Sequence, residues 1–194
     1  MFSFSICSIP DCGNYSVTGY DKCFHHLEEG ESVLARYLES FSAEDRVRNI
    51  NFEGIRIDNF RFQNKKIIVS NFSNGTFENI DFSGSHILFS LFQFSVFRDC
   101  TFTDTTIKYS NFAGSTFRNC DFSGSDIVNS NFLGIDASVC NFNDSNLYYT
   151  NFTNATLKDV TFLDCNLKKA DFYRSRRINV NFKYSNYEEA DFER

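Results

Sequence analysis

The sequence predicts an all-β fold: a stacked, four-sided parallel coil from residue 50 to residue 194, about seven turns long. Two observations predict it. Every residue whose number ends in 2, from Phe52 to Phe192, is Phe. The positions ending in 7 carry a second apolar series, Ile57, Ile67, Phe77, Ile87 and onward to Leu167, interrupted by the small Ala137 and the charged Arg177. One inward residue every five positions fits neither the period of a helix nor the alternation of an ordinary strand. Sorted at a period of 20 residues, the central positions fall into four columns. Two are pure Phe, one is led by Ile67, Ile87, Ile107 and Ile127, and one by Phe77, Phe97 and Phe117. Like residues gather at period 20 and not at period 5, which stacking of successive turns would produce.

Residues 1–30 lie outside this register. They hold Cys7-x4-Cys12-x10-Cys23-x2-His26, with His25 competing for the last position. Three cysteines and a histidine in two close pairs, separated by a loop with Gly13 and Gly19, suit a tetrahedral structural zinc site. A segment this short has little core, so a metal would supply its folding energy. Free cysteines or a redox pair are the alternatives. The stretch resembles the small treble-clef-type zinc knuckles found beside other bacterial domains.

Residues 31–49 predict a helical cap. Val33, Leu34, Tyr37, Leu38 and Phe41 recur at helical spacing, and Ser42 to Asp45 can open a second short helix as a capping box. Such a cap would shield the first coil, whose open end otherwise invites further pairing.

Within residues 50–194 the position two before each central residue is usually small, as at Ser70, Ser90, Ser110 and Ala170. The position just before it is often Asn, Asp or Thr, as at Asn71, Asp81, Asn111 and Asp121. Cys120-Asp121-Phe122-Ser123-Gly124 shows the rule complete. The chain in this respect resembles the pentapeptide-repeat proteins, and its Phe-rich central position resembles several of those in bacteria. The resemblance implies a right-handed quadrilateral parallel β-helix with four units per turn. Stacked at about 4.8 Å, seven coils make a rod roughly 34 Å long. Asn, Asp and Thr side chains can satisfy the turn backbone. Cys100, Cys120 and Cys140 share one small-residue column, with Cys165 in another, and read as buried packing residues. Arg177 sits at an inward slot, so the chain there is expected to depart locally, with Ile178 turning in.

No arrangement suggests catalysis: there is no phosphate-binding glycine loop and no plausible Ser–His–Asp set, and His86 falls at an outward slot. The N-terminus lacks a basic region and an apolar run of signal-peptide length, and a cytoplasmic protein is expected. Function is then expected on surfaces. Outward positions beside the Ile/Leu column are apolar: Ile68, Val69, Leu88, Phe89, Tyr109, Val128, Tyr148 and Tyr149, with Leu91, Phe94 and Leu133 on the adjacent side. Either the N-terminal segment folds back over this stripe, or a protein partner or second copy covers it. Register continues to Phe192 with no capping helix after it, and Tyr187 and Phe192 mark an open end. The resemblance implies a homodimer meeting through the C-terminal coil.

The reading preferred from the residues is a non-catalytic protein–protein interaction scaffold. The resemblance offers an alternative, because quinolone-resistance members of the family are acidic rods that resemble DNA and bind DNA gyrase or topoisomerase IV. The formal charge is −6, but the repeat segment carries only two of those charges, with Lys and Arg expected on the same faces as the acids. Nucleic-acid binding through the zinc knuckle is a second alternative, against which the acidic N-terminal segment weighs.

Overall fold

A computed structural model describes residues 4–193. Its centre is a parallel coil in which each residue pairs with the one 20 positions later. Five short strands stack on one side: β1 (Arg46–Arg48), β3 (Lys66–Ile68), β5 (His86–Leu88), β7 (Thr106–Lys108) and β9 (Asp126–Val128). Seven stack in a second sheet: β2 (Arg56–Asp58), β4 (Thr76–Glu78), β6 (Val96–Arg98), β8 (Thr116–Arg118), β10 (Asp136–Asn141), β11 (Thr156–Thr161) and β12 (Arg176–Ile178). Single bridges form the other two sides. One runs from Asn51 through Asn71, Leu91, Asn111, Asn131 and Asn151 to Asp171 and Asp191. The other runs from Arg61 through Asp81, Thr101 and Asp121 to Asn141, and continues at Thr161 and Asn181. We call these the β1 face, the Asn face, the β2 face and the Asp face, in chain order.

The Phe series is a ladder of rings. Phe72 and Phe92 stack at 5.2 Å, Phe92 and Phe112 at 4.9 Å, and Phe102 and Phe122 at 4.5 Å, with planes within 15° of parallel. Their offset stacking is the geometry that aromatic quadrupoles favour. Small residues fit beside them and satisfy the rungs. Ser115 Oγ donates to the Phe92 carbonyl at 2.7 Å and accepts from the Ser95 amide at 3.0 Å. Cys100 takes the same kind of slot, its thiol donating to the Arg98 carbonyl. Burial pushes the Cys165 thiol up to about 11, so it behaves as an inert packing group.

The residue before each central one does what its chemistry allows. Asn71 Oδ1 accepts from the Ser73 amide at 3.0 Å and Asp81 Oδ1 from the Ser83 amide at 2.9 Å. The corners between faces require left-handed backbone, and Asn is often found there, as at Asn59, Asn79, Asn119 and Asn179.

At the N-terminal end one helix forms, α1 (Gly30–Ala43), with Val33 and Phe41 buried. Its Tyr37 and Phe41 lie on the open end of the ring ladders, Tyr37 at 4.8 Å from Phe52, and Phe41 at 6.1 Å from Phe52 and 6.2 Å from Phe62. The second short helix expected from Ser42 is absent. The chain instead turns extended into β1, because Val47 falls in the five-residue register and buries itself opposite Ile67. The ladder thus begins at Arg46, ahead of the first central Phe. Lys65 Nζ donates to the Ser42 and Glu44 carbonyls, holding the C-terminal end of α1 to the coil.

At the other end β12 keeps its pairing, with Arg177 opposite Leu157. Arg177 is exposed and its guanidinium lies 4.7 Å above the Phe192 ring. Ile178 does not turn in; it is 39% exposed. The cation escapes burial by lying on an aromatic face.

Candidate metal centre and contact faces

The four expected ligands converge. An antiparallel bridge between Ile6 and Tyr15 closes a hairpin, with Cys7 N donating to the Asn14 carbonyl and a left-handed Asp11 making the turn before Cys12. Cys23 and His26 share a 3-10 turn, Phe24–His26 following Cys23, which places Cys23 Sγ 3.3 Å from His26 Nδ1. Cys7 Sγ lies 3.4 Å from the same nitrogen, and Cys12 Sγ 3.8 Å from Cys23 Sγ. All four ligand atoms lie within 4.8 Å of one another. A tetrahedral zinc with Zn–S near 2.3 Å holds its sulfurs about 3.8 Å apart, so the donor set and its spacing fit that ion. Despite the opposing effect of desolvation, hydrogen bonds from the Cys23 and Ile9 backbone and from His26 pull the Cys7 thiol down to about 6. That favours the thiolate, the form that ligates.

His25 is not in the cluster. Its Nε2 lies 2.7 Å from where a Cβ on Gly54 would stand, so the ring rests on the first coil's left-handed glycine turn, φ +77°. The rest of the knuckle is seated beside it. Asn51, buried at 1% exposure, donates its amide N–H to Thr18 Oγ1 at 2.7 Å and its Nδ2 to the Ser16 carbonyl at 2.9 Å. Tyr37 of α1 closes the contact by donating to the Thr18 carbonyl at 2.6 Å. Sequence reasoning missed Asn51; the one available signal was a polar residue heading a column of stacked asparagines.

The apolar stripe lies on the β1 face and its corner. Phe89, Tyr109 and Tyr149 are about half exposed, and Ile68, Val69, Leu88, Val128 and Tyr148 are half-buried. Phe89 and Tyr109 stack at 5.1 Å and 5°. Among the described residues the N-terminal segment does not cover these rings, because α1 sits on the coil's end. The corner residues Val69, Phe89, Tyr109 and Tyr149 have φ between 52° and 56°. Asn49 and Asn129 hold the same column, showing what the backbone alone would select. Bulky side chains there cost roughly 1 kcal/mol each. His86 is exposed on the same face, as expected.

The charges are interspersed, as expected, on the β1 and β2 faces, but not on the other two. The Asp face carries Asp81, Asp104, Asp121, Asp144 and Asp164, with no Lys or Arg in its segments from residue 81 to residue 165. The opposite Asn face has no charged residue in its segments from residue 71 to residue 155. The cations fall mainly on the β1 and β2 faces, among acids, where Lys108 pairs with Asp126, Arg56 with Glu78 and Arg118 with Asp136. A 20-residue period sorts residues by face, and net charge does not reveal that sorting.

Residues 115–192 match the pentapeptide repeat region family, and residues 95–134 match pentapeptide repeats (8 copies). The chain belongs to the pentapeptide-repeat proteins. Among solved structures, this pentapeptide-repeat protein is similar to full-length QnrB1, a plasmid-mediated fluoroquinolone resistance protein, at 22% identity over 76% of this chain and 80% of that one, TM-score 0.36. It is also similar to HetL from Nostoc sp. strain PCC 7120, involved in heterocyst differentiation regulation, at 14% identity over 85% and 97%, TM-score 0.31. A pentapeptide repeat protein of the Arabidopsis thaliana thylakoid lumen matches at 21% identity over 64% and 70%, TM-score 0.35. No curated protein matches the chain. No helix among the described residues is long and apolar enough to cross a membrane.

Proposed function

We propose that this chain is a non-catalytic scaffold that binds a protein partner along the stripe of the β1 face, with a structural zinc holding the knuckle to the first coil. One observation carries the reading. Phe89, Tyr109 and Tyr149 occupy left-handed corners that Asn fills elsewhere, and they stand exposed. Strain at an exposed position that the fold does not need points to function. Affinity capture with the wild type and with a Phe89→Asn, Tyr109→Asn variant tests it. Asn restores the residue type of Asn49 and Asn129 in the same column, so the fold persists while the specific partner is lost; equal capture by both proteins discards the stripe.

A second reading, binding to DNA gyrase or topoisomerase IV, is supported by the Asp face, whose aspartates recur from coil to coil without cations among them. A supercoiling assay with added protein tests it, and an unchanged rate at micromolar protein removes it.

A further inference from the structure

The Asn face has a property that the β1 stripe does not: from Asn71 to Ala155 it carries no charge at all. It is also uneven. Phe94 is 64% exposed and its ring lies across Gly114, where an added Cβ would stand 2.6 Å from the ring. One coil further, Gly134 has nothing within 4 Å of the place its Cβ would take. Leu133 stands out beside it, and Ala113 is the small residue at the matching position one coil earlier.

We infer that this face is where a second copy of the chain docks, antiparallel, about a two-fold axis lying across the face between the Gly114 and Gly134 coils. Such an axis returns each residue column onto itself in reverse order. The Phe94 ring, seated at the height of Gly114, then meets the bare Gly134 shelf of the second copy. Ala113 comes opposite Leu133, and along the neighbouring corner Phe89 comes opposite Tyr149 and Tyr109 opposite Asn129. Large meets small on the face itself, and at its edge ring meets ring where Phe89 faces Tyr149.

Two arguments select a second copy over a foreign protein. A two-fold contact sets a surface against itself, so any charged column meets its own sign. The Asp face would suffer this, and the Asn face is free of it. Two rods of one sequence also share one rung spacing, so a match made at one coil is kept at the next. The C-terminal end suits a self-contact less well, since Arg177 already lies on Phe192 there, with Arg174, Lys183, Glu188 and Glu189 around it. The inference rests on the reading of the rod as a contact scaffold; it shares the corner rings Phe89, Tyr109 and Tyr149 with the partner stripe, so Phe94 and Gly134, which lie off that stripe, are the positions that tell the two apart.

Sedimentation velocity on the full chain at tens of micromolar tests it. The wild type is expected to sediment as two copies, and Phe94→Asp as one, with unchanged far-UV circular dichroism. Asp is at home at φ 59°, so the variant keeps its corner. Gly134→Asp, which meets nothing in its own chain, is a second variant expected to sediment as one copy. Tyr187→Asp is expected to remain two copies. A monomeric wild type, a two-copy species that survives Phe94→Asp and Gly134→Asp, or one lost on Tyr187→Asp overturns the assignment. Failure of the partner reading would show separately, as capture unaffected by Phe89→Asn, Tyr109→Asn.

Discussion

The His25 imidazole lies on Gly54, so that the residue beside His26 of the Cys3His cluster is also the residue that seats the knuckle on the first coil. The Cys3His cluster and the solenoid end are thereby one mechanical unit: the turn that aims His26 inward at three sulfurs aims His25 outward at the coil.

Gly54→Ala should weaken that seat. The new Cβ would stand 2.7 Å from His25 Nε2, at a φ of +77° that L residues rarely adopt. The expected cost is about 1–2 kcal/mol, read as a lower thermal midpoint and as faster amide exchange at Val17 and Thr18.

The metal site should hold about one zinc per chain by elemental analysis. Cys12→Ser should abolish it, whereas Cys165→Ser, in the coil, should leave the content unchanged. Chelation should lower the thermal midpoint of the wild type, since the metal's binding energy is folding energy. A wild type free of metal, or unaffected by chelator, would refute the site.

Phe112→Ala should be among the most damaging single changes. Phe112 is fully buried and stacks at 4.9 Å on both Phe92 and Phe132. Its removal leaves a cavity worth about 3–5 kcal/mol, which a denaturant midpoint would show.

Val139→Asn should stabilise. Val139 is 58% exposed at φ 55°, in a corner column held by Asn119 on one side and Asp159 on the other. A β-branched residue in left-handed backbone costs roughly 1 kcal/mol relative to Asn. A raised thermal midpoint is the expected result, and a lowered one would mean that Val139 packs in a way its exposure hides.

The solenoid was legible because its instructions repeat. Phe72, Phe92 and Phe112 each find the same partners one coil away, so a single spacing, read many times, specifies ladder, period and face. The Cys3His cluster was legible for a related reason, since Cys7, Cys12, Cys23 and His26 form two local pairs whose spacing reflects short-range geometry. The segregation of charge was also written at period 20, but net charge, a sum over all faces, concealed it.

What the tertiary structure alone decided lies where the repeat meets something unlike itself. The choice of His26 over His25 depends on Gly54, far along the chain. The extension of Arg46–Arg48 into β1, where a capping box suggested a helix, depends on the free edge offered by Lys66–Ile68. The escape of Arg177 from its inward slot depends on Phe192, a ring contributed from further along the chain. A periodic sequence determines its own interior because each coil sees only copies of itself; the ends and the non-repeating cap are settled by contacts that occur once, between segments no local pattern relates.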